Sequence, residues 1–199
     1  MNTKRIFIRL SVVLMAIVIM IVGYRHIVPS HVVSIGDRIW IPDNLEDIEQ
    51  HADLIIIGTA LSTAGKINYW PGENRPTTGT TSTLFRIDTV FKSDNTSITE
   101  GTIIEIWEPH IYYRRPEGLY LVRPDDYLPM NHGQSYLLFL EHSIIDGFTT
   151  KYSYAITIPE GKFVVDASDL SPKELEIPSG KLPHYISIYQ QAGDKYLNR

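Results

Sequence analysis

The segment Ala52–Ser62 reads A-D-L-I-I-I-G-T-A-L-S, and how it is read decides the fold. Leu54 and Ile56 point to one side of an extended chain, Ile55 and Ile57 to the other. A strand that is apolar on both faces is covered on both. Gly58 follows at once, and a glycine inside a strand marks a bulge or bend. Covered twice and bent early, the segment is read as the first strand of a small closed β-barrel. Just upstream, Asp43 and Asn44 offer a helix cap, and Leu45, Ile48 and Ala52 recur at helical spacing. This predicts a helix of about two turns over 44–52.

Further strands follow downstream. Over Thr83–Lys92, Phe85, Ile87, Thr89 and Phe91 share one face, and Arg86, Asp88 and Lys92 share the other. Thr102–Trp107, Ser135–Glu141 and Tyr152–Ile158 complete a set of five, with Phe163–Val165 resuming after the turn Pro159–Lys162. Turn formers dominate 62–82, which is expected to be a long loop or hairpin end. Glu108–Gly133 is expected to be an insertion with one short strand at Leu119–Val122. Tyr185, Ile188, Tyr189, Ala192 and Tyr196 have the spacing of a C-terminal helix, which Gly193 weakens.

The 199 residues suffice for one ordinary domain plus a short N-terminal addition. Residues 1–25 hold four of the 18 basic residues and none of the 23 acidic ones, so the remainder carries −9. So acidic a body lacks the positive field that a phosphate backbone demands, and no nucleic-acid partner is expected. The chain has no cysteine, which excludes disulfides, thiolate metal sites and a cysteine nucleophile.

Leu10–Gly23 contains no charge, and Ile6–Tyr24 is interrupted only by Arg9. Residues 6–24 are therefore expected to enter the membrane as an N-terminal transmembrane helix. The segment after the apolar run, I-V-G-Y-R-H, fits a cleavage site poorly, so an uncleaved signal anchor is favoured over a removed signal peptide. Positive charge before the segment then keeps the N-terminus inside and places residues 26–199 outside, or secretes them if the segment is cleaved. The expected organisation is an anchor at 1–25, a stalk at 26–43, a barrel domain at 44–167, and a linker with the C-terminal helix at 168–199.

The succession A-D-L-I-I-I-G-T-A, T-L-F-R-I-D-T-V-F-K, G-T-I-I-E-I-W, G-Q-S-Y-L-L-F-L and E-G-K-F-V-V resembles the OB-fold domain of the tissue-inhibitor-of-metalloproteinase-like and netrin-like superfamily. It is closer still to exported bacterial proteins of unassigned function with such a domain. The resemblance covers about residues 44–167. It implies a mainly β fold, a five-stranded OB-fold-like barrel with a short helix before its first strand. The family's inhibitors chelate their target's zinc through an N-terminal cysteine; this chain has none, so no inhibitory residue carries over.

Chemistry-bearing motifs are scarce. The seven histidines show no zinc-helix spacing, H-E-x-x-H and G-x-S-x-G are absent, and no phosphate-cradling glycine pattern occurs. No cofactor, metal ligand or catalytic residue is assigned. The favoured surface is Pro109–Tyr127, where tyrosine and arginine, the residues that interfaces prefer, alternate. The candidate binding residues are Tyr112, Tyr113, Arg114, Arg115, Tyr120 and Arg123, with Tyr69 and Trp70 from the preceding loop. The competing reading is that these aromatics pack the insertion onto the barrel. The function expected is a membrane-anchored extracytoplasmic module that binds a protein or envelope component. The alternatives are a glycan-binding OB domain, or an enzyme whose site draws on His132 or His142.

Overall fold

The computed structural model describes residues 12–20, 28–34, 41–71, 76–124, 127–143, 153–167, 171, 175 and 182–197. In chain order the elements are helix α1 (12–20), β1 (Pro29–Ser34), α2 (Leu45–His51), β2 (Leu54–Pro71), β3 (Pro76–Ser93), β4 (Ile103–Glu108), β5 (Ile111–Arg115), β6 (Gly118–Arg123), β7 (Ser135–His142), β8 (Ser153–Ala155), a 3-10 turn (Pro159–Gly161), β9 (Lys162–Val164) and α3 (Leu182–Ala192), which ends in a π-helical turn (Gly193–Leu197).

The fold is mixed α/β with two sheets, which corrects the expected OB-fold-like barrel. The larger sheet runs β2-β3-β4-β8-β7-β9, and β2 also pairs with β7, so five strands form a ring of pairings. That ring is not a barrel. Its closure depends on the three-residue β8, which meets β4 over three residue pairs and β7 over two. A barrel needs tilt and stagger shared by strands of comparable length. Here β2 and β3 are each 18 residues long and pair as far as Pro71 and Pro76. The stretch 62–82, expected to be a loop, is thus largely paired strand. Its run of threonines is β-branched and suits the pleat, a preference that the turn formers obscured.

The smaller sheet, β1-β6-β5, also departs from expectation. The 108–133 segment holds the β5–β6 hairpin, and β1 joins β6 in parallel, so residues 29–34 of the expected stalk are sheet. Parallel pairing joins segments distant in sequence, which periodicity within either one does not announce.

The doubly apolar strands lie between two separate cores. Leu54 and Ile56 of β2 and Leu138 and Leu140 of β7 pack with Phe85, Ile104 and Tyr154 on one side. Ile55, Leu137 and Phe139 face the other way, onto Leu45 and Ile48 of α2 and Tyr185 and Ile188 of α3. Each such side chain contributes roughly 1.5–3 kcal/mol by leaving water. Asn44 caps α2, its Oδ1 accepting from the Asp47 N–H at 3.1 Å. At the other end, Lys92 of β3 donates to the Glu49 and Ala52 carbonyls and ties the helix to the sheet. Helix α3 is held through its tyrosines: Tyr185 donates to the Lys162 carbonyl at 2.6 Å and Tyr189 to that of Val164 at 3.1 Å.

Among the described residues no helix is long and apolar enough to cross a membrane. The described part of the apolar run is the nine-residue α1, every residue of it exposed. At ~1.5 Å per residue it covers about half of a ~30 Å hydrocarbon layer. Residues 6–11 and 21–24 of the expected span lie outside the described residues. The membrane anchor, the membrane as partner and the single-pass location are therefore withdrawn, as is the membrane-anchored function built on them.

Gly58 has close surroundings: a Cβ there would collide with the Arg86 carbonyl oxygen and lie 2.5 Å from the Phe85 ring. Gly193, in the π-helical turn, has nothing within 4 Å of the same position. Gly58→Ala should lower stability by at least about 2 kcal/mol, while Gly193→Ala should leave it unchanged or raise it by up to about 1 kcal/mol. Urea unfolding of both variants measures this, and equal midpoints would contradict the assigned close approach.

Candidate functional site

Strand β4 leaves the larger sheet at Glu108, and β5 enters the smaller one at Ile111. Between them the His110 N–H donates to the Glu108 carbonyl at 2.8 Å, a one-residue turn about Pro109. Proline's fixed φ lies close to what an inverse γ-turn requires. The bend brings Glu108, His110 and Tyr112 to one cleft.

Glu108 is 1% exposed and saturated with donors. Oε1 accepts from the Thr83 hydroxyl of β3. Oε2 accepts from the Tyr127 hydroxyl at 2.6 Å and from the Met130 N–H at 2.7 Å. Among the described residues no lysine or arginine pairs with it; the cationic candidate within ion-pair distance is the imidazole of His110, with Nδ1 3.9 Å from Oε2. A carboxylate accepts without donating, so the convergence of two hydroxyls and a main-chain N–H satisfies it where water is excluded. The same bonds fix residues 127–130, of which Pro129 and Met130 line the cleft.

His110 is 3% exposed, and its Nδ1 is enclosed without a hydrogen-bond partner. Burial lowers its pKa below the ordinary histidine value; Glu108 opposes the shift and Lys162 adds to it. Its ring meets Tyr112 edge-on at 5.3 Å and stacks over Tyr127 at 6.2 Å. Burial raises the pKa of Tyr112, with Glu108 adding to the effect and Arg123 opposing it. Lys162, itself buried, donates to the Leu128 carbonyl at 2.7 Å and lies over the rings of Tyr127 and Tyr136.

The cleft has a volume of about 250 Å³ and is lined by Thr63, Thr83, Glu108, His110, Tyr112, Pro129, Met130, Asn131 and His132. No family model matches the chain, and no curated protein matches its sequence. With the two-sheet architecture, this overturns the resemblance to the metalloproteinase-inhibitor-like and netrin-like superfamily and leaves geometry alone to argue function.

The sequence-predicted residues fall into separate groups. Tyr112, 39% exposed, lines the cleft. Arg123 supports its wall, donating through Nη1 to the Pro124 and Tyr127 carbonyls. Tyr113 and Tyr120 pair across β5 and β6 with stacked rings 5.0 Å apart. His31 of β1 stacks on Tyr120 at 4.4 Å, and Arg115 lies over Tyr113. Arg114 is exposed and alternates to the other side of β5. Tyr69 and Trp70 sit opposite Gly79 and Thr78 on the β2–β3 arm, and their side chains lie outside the described residues.

Of the histidines weighed for catalysis, His132 lines the cleft, its Nε2 3.5 Å from the Thr63 hydroxyl. His142 lies outside it, bound to Asp94 and stacked on Tyr154. Among the described residues no group of three or more histidine, aspartate or glutamate side chains could hold a metal ion. Glu108 and His110 were missed. The available signal was the alternation Glu108, His110, Tyr112 directly after the apolar strand I-I-E-I-W.

The lowered pKa of His110 has a consequence for stability. In the window between its folded value and about 6.5, the unfolded chain binds more protons than the folded one, so stability rises with pH. The contribution is complete above that window and is lost as pH falls through it. Urea unfolding at about pH 7.5 and about pH 5.5 should show wild type losing more stability on acidification than His110→Gln. Equal losses would contradict a buried neutral imidazole.

Proposed function

We propose that the chain is a small-molecule-binding protein whose ligand occupies the cleft at the junction of β4 and β5. One observation carries this reading: a buried carboxylate and a buried imidazole, side by side, line a space open to solvent. Purely structural burial of such groups favours a closed, fully satisfied network. The Nδ1 atom of His110 lacks a partner. Ligand sites combine a concave wall with a few convergent polar groups, and Glu108, His110, Asn131 and His132 are that set here. The space is slightly below the ~300 Å³ at which such pockets usually begin, so the occupant is a small metabolite-sized molecule and not a polymer.

Asn131 is exposed on the cleft rim, so a large side chain there obstructs entry with little effect on the core. A fragment library screened by NMR against the full chain should yield binders that shift Thr83, His110, Tyr112 and Met130. Asn131→Trp should weaken those binders at least about tenfold while leaving the dispersion of the core resonances intact. Binders that map elsewhere, or that are indifferent to Asn131→Trp, would contradict the assignment.

A further inference from the structure

The lining of the cleft has an uneven charge. Among the described residues it contains one carboxylate, two imidazoles and neutral residues, and no lysine or arginine. Among the described residues, Lys162 and Arg123 act electrostatically on the cleft residues, and neither lines the cleft. Lys162 is bound to the Leu128 carbonyl and covered by two tyrosine rings, and Arg123 is bound to the Pro124 and Tyr127 carbonyls. The three donors to Glu108 are neutral, so they satisfy its lone pairs without cancelling its charge.

His110 converts that charge into a directed contact. Its Nδ1 is enclosed 3.9 Å from the carboxylate, and the residue lines the cleft. A proton on Nδ1 is the arrangement that a neighbouring carboxylate favours, and it leaves Nε2 as an acceptor. Tyr112, whose ring carries an electron-rich π-system, lines the same cleft. An acceptor backed by a negative charge and flanked by an aromatic ring suits a cationic donor and repels an anion.

Building on the small-molecule reading above, we infer that the ligand carries a protonated amine, with its ammonium donating to His110 and Glu108 supplying the counter-charge. A carboxylate- or phosphate-bearing ligand is disfavoured, because the described lining offers no lysine or arginine to meet it. Asn131 on the rim is neutral, so a charge introduced at its position adds to or opposes the selection.

The test uses the full chain and three molecules of matched size: butylammonium, butanol and butyrate. The readout is the His110 imidazole resonances near neutral pH, assigned by their loss in His110→Gln. Butylammonium should shift them saturably and bind at least about tenfold more tightly than butanol, with butyrate weakest. Asn131→Lys should weaken butylammonium several-fold and Asn131→Asp should tighten it. If butanol or butyrate binds as well as butylammonium or better, or if the two Asn131 variants do not differ, the amine inference falls and the cleft remains a binding site. If none of the three molecules moves the His110 signals, the small-molecule reading falls with it.

Discussion

A single carboxylate, that of Glu108, governs how the two sheets meet. It lies at the last residue of β4, out of water, and draws in a hydroxyl from β3, a hydroxyl from Tyr127 and a main-chain N–H from Met130. Leaving any one of these buried groups unpaired costs about 1–3 kcal/mol, so the four hold one another in place. Everything that forms the cleft wall follows from this. The 127–131 segment has no regular secondary structure of its own, and its position is set by what it donates to. Further bonds reinforce it: Arg123 donates to the Tyr127 carbonyl, and the Asn131 N–H donates to the Tyr136 hydroxyl at 2.7 Å.

The same arrangement makes a rigid scaffold carry a site. The ring of pairings and the helix layer bury apolar residues on both sides of β2 and β7, and this fixes β3 and β4 where they emerge toward the smaller sheet. The bend at Pro109 then redirects the chain, so that a buried residue, Glu108, and a half-open one, Tyr112, line one space. His110 stands between them, its pKa held below the ordinary histidine value because burial outweighs the pull of the carboxylate beside it. Binding chemistry thus sits at a seam, where polar groups can be buried on the protein side and reached from the solvent side.

Local pattern made part of this legible. The Asn44 cap and the spacing of Leu45, Ile48 and Ala52 mark α2, and the apolar run 54–57 marks a strand covered twice. What covers it was not legible: the second layer is helical, and the helices responsible lie more than a hundred residues apart. The barrel was an inference from double burial, which a helix layer satisfies equally well. The long β2–β3 arm was hidden because glycine, proline and threonine read as turn formers, although threonine is also a strand former. The tyrosine and arginine run was read as one surface, but alternation along β5 splits it, sending Tyr113 and Arg115 to an aromatic stack and Tyr112 to the cleft. Glu108 was passed over because a lone glutamate at a strand end carries no signature; its importance arises from partners 22 and 25 residues away.

Amide hydrogen exchange at Met130 measures the central constraint most directly. In wild type its N–H is bound to a buried carboxylate and should exchange slowly. Glu108→Met keeps the length of the side chain and removes the acceptor, so Met130 should lose protection by at least about tenfold relative to Ile56 and Leu138 in the core. Unchanged protection at Met130, in a variant whose core amides remain slow, would contradict the claim that Glu108 holds the wall of the cleft.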